Sequence, residues 1–132
     1  MAPEMNKEKK RYLDELFGAL SAIAEDAYVF LCDMESDISK WSKSAVEYFG
    51  LPDEYMKNAG GIWAEHIHPD DRDYYDLRVD RIFMGADTGL DLKYRARNRE
   101  GRYLYCNCKG IVIRKSNGKP MYFGGVIKRL ED

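Results

Sequence analysis

The chain has 132 residues, 45% of them hydrophobic and 33% charged, which suits one globular domain with a single modest core. With 21 basic and 23 acidic residues, the formal net charge is −2, so no overall positive field attracts nucleic acid. No apolar run reaches the roughly 20 residues of a membrane helix, and the N-terminus lacks a secretory pattern. We expect a cytoplasmic protein with no nucleic-acid partner and no membrane insertion.

The first predicted element is an amphipathic helix between Asn6 and Asp26. Its apolar residues recur at alternating steps of three and four, which places them on one face. The stripe is too short to indicate a coiled coil on its own, so the helix can pack on this chain's own sheet or on a second copy. In the second case the chain is a homodimer, with a candidate interface of Leu13, Leu16, Phe17, Leu20 and Ile23.

Two strands and a helical region are predicted next. Residues from Ala27 to Met34 are apolar on both faces, which indicates a central strand. A second strand runs from Asp37 to Ser42, and Ser42 or Ser44 caps a helix that Gly50 ends. Glycines and a proline interrupt the segment from Leu51 to Ile67, which predicts short helical turns over an apolar cavity.

A longer helix is predicted to start at Pro69, because proline is favoured at a first helical position and the acidic side chains of Asp70 and Asp71 suit the helix dipole. Its apolar face carries Tyr75, Val79, Ile82 and Phe83, and the residues placed on its wet face are Asp73, Asp76, Arg78 and Arg81.

Three strands are predicted after Gly89. Alternation from Leu90 to Arg97 is the clearest period-two pattern in the chain. The turn Asn98–Gly101 leads to a strand from Tyr103 to Arg114, and the turn that ends at Gly118 leads to a last strand, Pro120–Arg129. Three antiparallel strands in sequence form a meander.

Neither a metal site nor a catalytic site is expected. Cys106 and Cys108, and His66 and His68, stand two residues apart, which differs from the usual zinc spacings. Three cysteines, an odd number, are a poor disulfide framework, so reduced buried thiols are expected. No combination of nucleophile, base and acid converges, and the chain has no glycine-rich phosphate loop.

The order of elements predicts an α+β domain with a five-stranded antiparallel sheet, its first and last strands adjacent, a helical cluster on one face and the N-terminal helix outside. Together with this order of elements, four short sequence motifs resemble those of a PAS domain: Ala45–Leu51, His68–Arg72, Arg99–Arg102 and Gly124–Ile127. Residues 27–132 then form the PAS-like sensor domain, and residues 1–26 form the preceding helix.

The resemblance implies a non-catalytic sensory module of a bacterial multidomain signalling protein. Such a module senses a small-molecule metabolite or relays a conformational signal to an output domain in cis, such as a diguanylate cyclase or a histidine kinase. PAS domains frequently end in an Asp-Ile-Thr-like triplet, from which Lys128-Arg129-Leu130 departs. The alternative is a ligand-free module for dimerisation or protein interaction.

The resemblance also allows cofactor classes to be compared by residue. The flavin-binding type carries a reactive cysteine within its helical cluster, and the photoactive-yellow type needs a thioester cysteine late in that region, but the helical cluster here has no cysteine. The haem type uses a histidine within the long helix, whereas His66 and His68 precede Pro69. Flavin and haem are therefore not expected, and the cofactor is unknown.

A pocket, if present, should lie between the inner face of the sheet and the helices from Ser44 to Phe83. Ordinary core packing is the alternative for these side chains. The 10 tyrosines favour a binding site, because a buried phenol needs a hydrogen-bond partner. The candidate lining residues are Phe30, Cys32, Trp41, Tyr48, Phe49, Met56, Ile62, Trp63, Leu92, Tyr94, Cys106 and Cys108.

Overall fold

The computed structural model describes residues 4–116 and 119–130. Within them the helices and strands follow one another in the order α1 (Lys7–Ile23), β1 (Tyr28–Asp33), β2 (Ile38–Trp41), α2 (Lys43–Phe49), β3 (Tyr55–Lys57), α3 (Ala59–Ala64), α4 (Pro69–Phe83), β4 (Gly89–Arg97), β5 (Tyr103–Ser116) and β6 (Lys119–Arg129). None of the helices in these residues is long and apolar enough to cross a membrane.

One antiparallel sheet with the strand order β3-β2-β1-β6-β5-β4 forms the centre of the fold. The central position of β1, its pairing with β6 and the β4-β5-β6 meander confirm the predicted connectivity. The register from Tyr28 opposite Ile127 to Asp33 opposite Tyr122 joins the first half of the chain to the second. Residues 117 and 118, in the predicted turn between β5 and β6, lie outside the described residues.

The prediction of five strands was wrong, because the described part of the chain contains a sixth, β3. It pairs with β2 from Lys57 opposite Ile38 to Tyr55 opposite Lys40, within the segment predicted to hold only helical turns. Three residues are too short to display a period of two, and Pro52 and Gly60 stand on either side. Only the pairing with β2 reveals this edge strand.

Helix α1 packs on the outer face of this chain's own sheet. Leu13 is fully buried against Leu31 and Tyr122, and three further members of the predicted stripe pack partly buried on the same cluster, namely Leu16, Phe17 and Leu20. Ile23 alone among the five stays 79% exposed. Most of the stripe is therefore covered within one chain, so its apolar character does not itself require a second copy.

A polar cluster around Asp14 fixes α1 to the edge of the sheet. The Asp14 carboxylate accepts hydrogen bonds from the Tyr55 hydroxyl at 2.5 Å and from the Lys40 and Lys10 ammonium groups at 3.0 Å each. Burial alone would raise the pKa of this carboxyl, but these three donors outweigh it and lower the pKa from 3.8 to about 2. The cluster therefore favours the charged carboxylate.

The start of α4 is fastened to the edge strand β4. Proline stands at the first turn as predicted, and the His68 ring accepts a hydrogen bond from the Asp70 backbone N–H at 3.1 Å. The Asp71 carboxylate accepts three hydrogen bonds of 2.9 Å from Arg95, one from its backbone N–H and two from its guanidinium. These contacts hold the N-terminal end of α4 over the sheet.

The β5–β6 pairing requires a residue without a Cβ at position 125. A methyl group on Gly125 would overlap the Lys109 carbonyl oxygen and lie 2.6 Å from the Cα of Gly110, both of them backbone atoms of the paired strand. We expect Gly125→Ala to lower the free energy of unfolding by about 1–3 kcal/mol, because packed backbone cannot move aside without strain. Urea denaturation followed by circular dichroism measures this loss.

Gly18→Ala is the matched control for that substitution. Gly18 lies within α1 with nothing within 4 Å of an added Cβ, so alanine should raise stability by up to about 1 kcal/mol through its higher helix propensity. Equal effects of the two substitutions would contradict the close β5–β6 approach.

The Asp14 cluster predicts a pH-dependent contribution to stability. Because the folded-state pKa of Asp14 is lowered, its contribution is complete above pH 3.8 and is lost as the pH falls towards about 2. Asp14→Asn should lower stability at neutral pH by about 1 kcal/mol, a value reduced for solvent screening. The difference in unfolding free energy between wild type and variant should shrink on acidification, and a difference that stays constant down to about pH 2 would contradict the prediction.

Candidate ligand-binding site

A cavity of about 460 Å³ lies between the inner face of the sheet and helices α3 and α4. This volume is in the range of small-molecule sites in proteins. Its walls come from β1, β2, β4, β5 and β6 on one side and from the two helices on the other. The described lining residues are Phe30, Cys32, Met34, Asp37, Ser39, Trp41, Asn58, Ala59, Gly60, Gly61, Trp63, Ala64, Tyr75, Asp76, Val79, Asp80, Phe83, Leu90, Tyr94, Cys108, Phe123 and Ile127.

Half of the candidate pocket residues line this cavity. These six are Phe30, Cys32, Trp41, Trp63, Tyr94 and Cys108. The other six pack elsewhere in the same hydrophobic core, and they are Tyr48, Phe49, Met56, Ile62, Leu92 and Cys106. The sequence left open whether these side chains line a cavity or fill a core. Six of them do the first and six do the second. Binding of a ligand by any of the twelve stays a prediction.

Several residues that line the cavity were not predicted as pocket residues, although sequence patterns indicated that they face the interior. Tyr75, Val79 and Phe83 belong to the apolar stripe of α4, which needs only to face the sheet to reach the cavity. Phe123 and Ile127 alternate along β6, and the predicted adjacency of the first and last strands places them beside β1. Asp76 was assigned to the wet face, and it is exposed, yet it borders the cavity.

Aromatic side chains shape one wall of the cavity. The Trp41 and Trp63 rings lie 5.1 Å apart between centroids, and Phe30 lies 5.6 Å from Trp41. The Trp63 indole N–H donates a hydrogen bond of 2.9 Å to the Tyr94 hydroxyl. Burial raises the pKa of Tyr94 well above its ordinary value, so its phenol stays neutral. Tyr75 meets Tyr94 edge-on at 5.6 Å.

The three cysteines are buried, unreactive thiols. Burial raises the pKa of Cys32 and of Cys108 to about 12 each and that of Cys106 to about 11. Since the thiolate is the form that attacks electrophiles and binds metals, these side chains suit neither task at neutral pH. The described residues contain no group of three or more potential metal ligands.

The two histidines lie outside the cavity lining and hold loops in place. The His66 ring nitrogens lie 3.1 Å from the carbonyl oxygens of Ile62 and Phe49, and the ring stacks on Trp63. His68 caps α4 and also lies against the ring of Tyr103 at 4.8 Å. Both arrangements agree with a role in turn and cap geometry.

Three carboxylates stand at the edge of the cavity, on Asp37, Asp76 and Asp80. The last two are exposed on α4, and Asp37 is half-buried in the turn between β1 and β2. Burial raises the pKa of Asp37, and the nearby Lys57 opposes that shift. Exposed Phe83, Gly60 and Gly61 complete the mouth, so the cavity opens between the start of α3 and the last turns of α4.

Several solved structures have a fold similar to that of this chain. A sensory box histidine kinase/response regulator from Burkholderia thailandensis superposes with a TM-score of 0.63 at 22% identity, covering 88% of this chain and 84% of that one. The N-terminal domain of a diguanylate cyclase with PAS/PAC sensor from Marinobacter aquaeolei gives 0.63 at 20% identity, with 78% and 94% coverage.

A third structure contains a ligand. The RpfR quorum-sensing receptor PAS domain from Cronobacter turicensis, in complex with C12:0, gives a TM-score of 0.61 at 12% identity and covers 83% of this chain and 99% of that one. At these identities the likeness shows the fold alone. No curated protein was found to match the sequence.

The family comparison rests on the sequence itself. The family model described as the PAS fold matches residues 38–127, which is more than half of the chain and includes every strand from β2 to β6 in whole or in large part. This match, the six-stranded antiparallel sheet and the helices over its inner face agree with one another. The chain therefore belongs to the PAS family.

Proposed function

We propose that this chain is a non-catalytic sensory module that takes a small molecule into the cavity between the sheet and helices α3 and α4. The observation that carries the proposal is a cavity of about 460 Å³ with an open mouth and an aromatic wall. A concave, largely apolar cleft of this volume is the kind of site in which proteins bind small molecules. PAS domains generally act as sensors and not as enzymes.

The relay of a signal is supported by strands that carry cavity residues on one face and α1 contacts on the other. In β1, Phe30 lines the cavity and the next residue, Leu31, packs against Leu13. In β2, Trp41 lines the cavity while Lys40 donates to Asp14. A ligand that displaces these strands would therefore act on α1 directly. An output domain in cis, such as a diguanylate cyclase or a histidine kinase, is the proposed recipient.

Filling the cavity tests the sensory proposal. Val79 is a half-buried lining residue of α4, so Val79→Phe should occupy part of the cavity with its ring. In a thermal-shift screen of metabolites, at least one compound should stabilise the wild type and lose that effect in the Val79→Phe variant.

Leu77→Phe is the matched control, because Leu77 lies on the same helix but is 57% exposed and does not line the cavity. It should keep the ligand-induced shift. If no metabolite stabilises the wild type, or if Val79→Phe retains every shift, the cavity is not the binding site.

Dimerisation is the second candidate function, favoured by an apolar groove on the outer face. Leu20, Ile111 and Val126 line this groove together with Gly124 and Gly125, and Ile111 is 57% exposed. Ile23 at the end of α1 is also exposed. An apolar strip of this kind is suited to a second copy of the chain.

The dimer hypothesis predicts a concentration-dependent mass in light scattering. Ile23→Glu combined with Ile111→Glu should shift the protein to the monomer, because two charges would have to be buried without partners. Leu77→Glu combined with Met84→Glu, at positions that are 57% and 79% exposed and do not line the groove, should leave the mass unchanged. A monomeric mass for the wild type at high concentration would remove support for this function.

A further inference from the structure

The charge around the cavity is of one sign. Three carboxylates belong to its lining, on Asp37, Asp76 and Asp80, and none of the described lining residues is a lysine, an arginine or a histidine. None of these carboxylates forms a salt bridge with a described side chain. Lys57 lies close enough to Asp37 to oppose the rise of its pKa, so the negative charge of the mouth rests mainly on Asp76 and Asp80.

This charge distribution discriminates between ligands. An anionic head group beside Asp76 and Asp80 would meet like charges, which is unfavourable. A protonated amine at the same place would be attracted by all three carboxylates. The low-dielectric wall behind the mouth strengthens both effects.

The aromatic wall favours the same kind of ligand independently of the carboxylates. Ring faces attract cations, and indole is the strongest of the natural side chains in this respect. Trp41 and Trp63, tilted by 50° to each other, stand in the lining with Phe30, Tyr75 and Tyr94. Such rings hold the apolar body of a ligand, and they also favour a ligand whose body carries a positive charge.

We propose that the cavity selects an organic amine: a ligand with an apolar, ring-sized body against the aromatic wall and a protonated nitrogen at the mouth, near Asp37, Asp76 and Asp80. This inference rests on the proposed sensory function and specifies its ligand class. Carboxylate ligands of similar size are disfavoured by the like charges of Asp76 and Asp80.

The two tryptophans provide the readout. The chain contains 2 tryptophans, and both line the cavity, so a change in intrinsic fluorescence reports its occupancy. Three probes share a phenylethyl body and carry head groups of different charge: 2-phenylethylamine is cationic, 2-phenylethanol is neutral and 3-phenylpropanoate is anionic at neutral pH. The amine should bind at least roughly tenfold more tightly than the alcohol, as expected for a partly desolvated cation on aromatic rings, and the acid should bind most weakly.

The carboxylates are tested by the combined variant Asp37→Asn, Asp76→Asn and Asp80→Asn. Asparagine tolerates the left-handed backbone of Asp37, whose φ is 56°, so the turn is kept. The preference for the amine over the alcohol should fall several-fold in this variant. Asp73→Asn, an exposed carboxylate of α4 that is not in the lining, should keep the wild-type preference.

The outcomes separate this inference from the sensory proposal. If the alcohol or the acid binds as tightly as the amine, or if the triple variant keeps the amine preference, the charge selection is wrong. If none of the three probes changes the fluorescence, the inference is also overturned. In each of these cases the sensory proposal stands when the metabolite screen yields compounds whose stabilising effect Val79→Phe removes, and falls when it does not.

Discussion

The antiparallel pairing of β1 with β6 is the constraint on which the rest of the structure depends. It joins residues from the two ends of the domain, with Tyr28 opposite Ile127 and Asp33 opposite Tyr122. Without it β3-β2-β1 and β4-β5-β6 would be two three-stranded sheets, each with one additional unpaired edge. With it, Phe30 and Cys32 stand beside Phe123 and Ile127, and the cavity has a continuous floor.

The same pairing gives the sheet two different apolar faces. The inner face carries the large core beneath α2, α3 and α4, and the outer face carries a smaller cluster beneath α1. Period-two alternation sends neighbouring residues to opposite faces, so each central strand contributes to both. Leu31 and Phe30 illustrate this directly, because one is buried under α1 and the other lines the cavity. The α1 helix is thus integral to the packing of this domain.

The sequence was sufficient for the connectivity and for the longer elements. Alternation from Leu90 to Ala96 and the proline at the start of α4 are local signals, and neither depends on distant residues. β3 was missed because its formation is decided by β2, which offers an unpaired edge to Tyr55–Lys57. The sequence did not decide whether α1 packs on this chain's own sheet or on a second copy, for a similar reason. An apolar stripe shows which face of a helix is buried but not which surface covers it.

The site was predicted only in part, and the reason is geometric. Periodicity gives the direction of a side chain about a helix or strand axis, but not the distance between helix and sheet. Phe49 and Trp63 were both candidate pocket residues, and their rings pack edge-on at 4.9 Å. Of the two, Trp63 lines the cavity and Phe49 does not. Where the gap opens depends on α4, which is fixed at its start by the contact between Asp71 and Arg95. That contact joins positions 24 residues apart in the sequence, so no local sequence pattern predicts it.

Neighbouring residues of strand β2 contact different parts of the molecule, so substitutions along it should have different effects. Its odd-numbered Ser39 and Trp41 belong to the interior, and its even-numbered Lys40 reaches the carboxylate on α1. Under the proposed sensory function, substitutions at Ser39 and Trp41 should therefore alter ligand binding, whereas substitutions of Lys40 should leave ligand binding intact and weaken the contact between the sheet and α1.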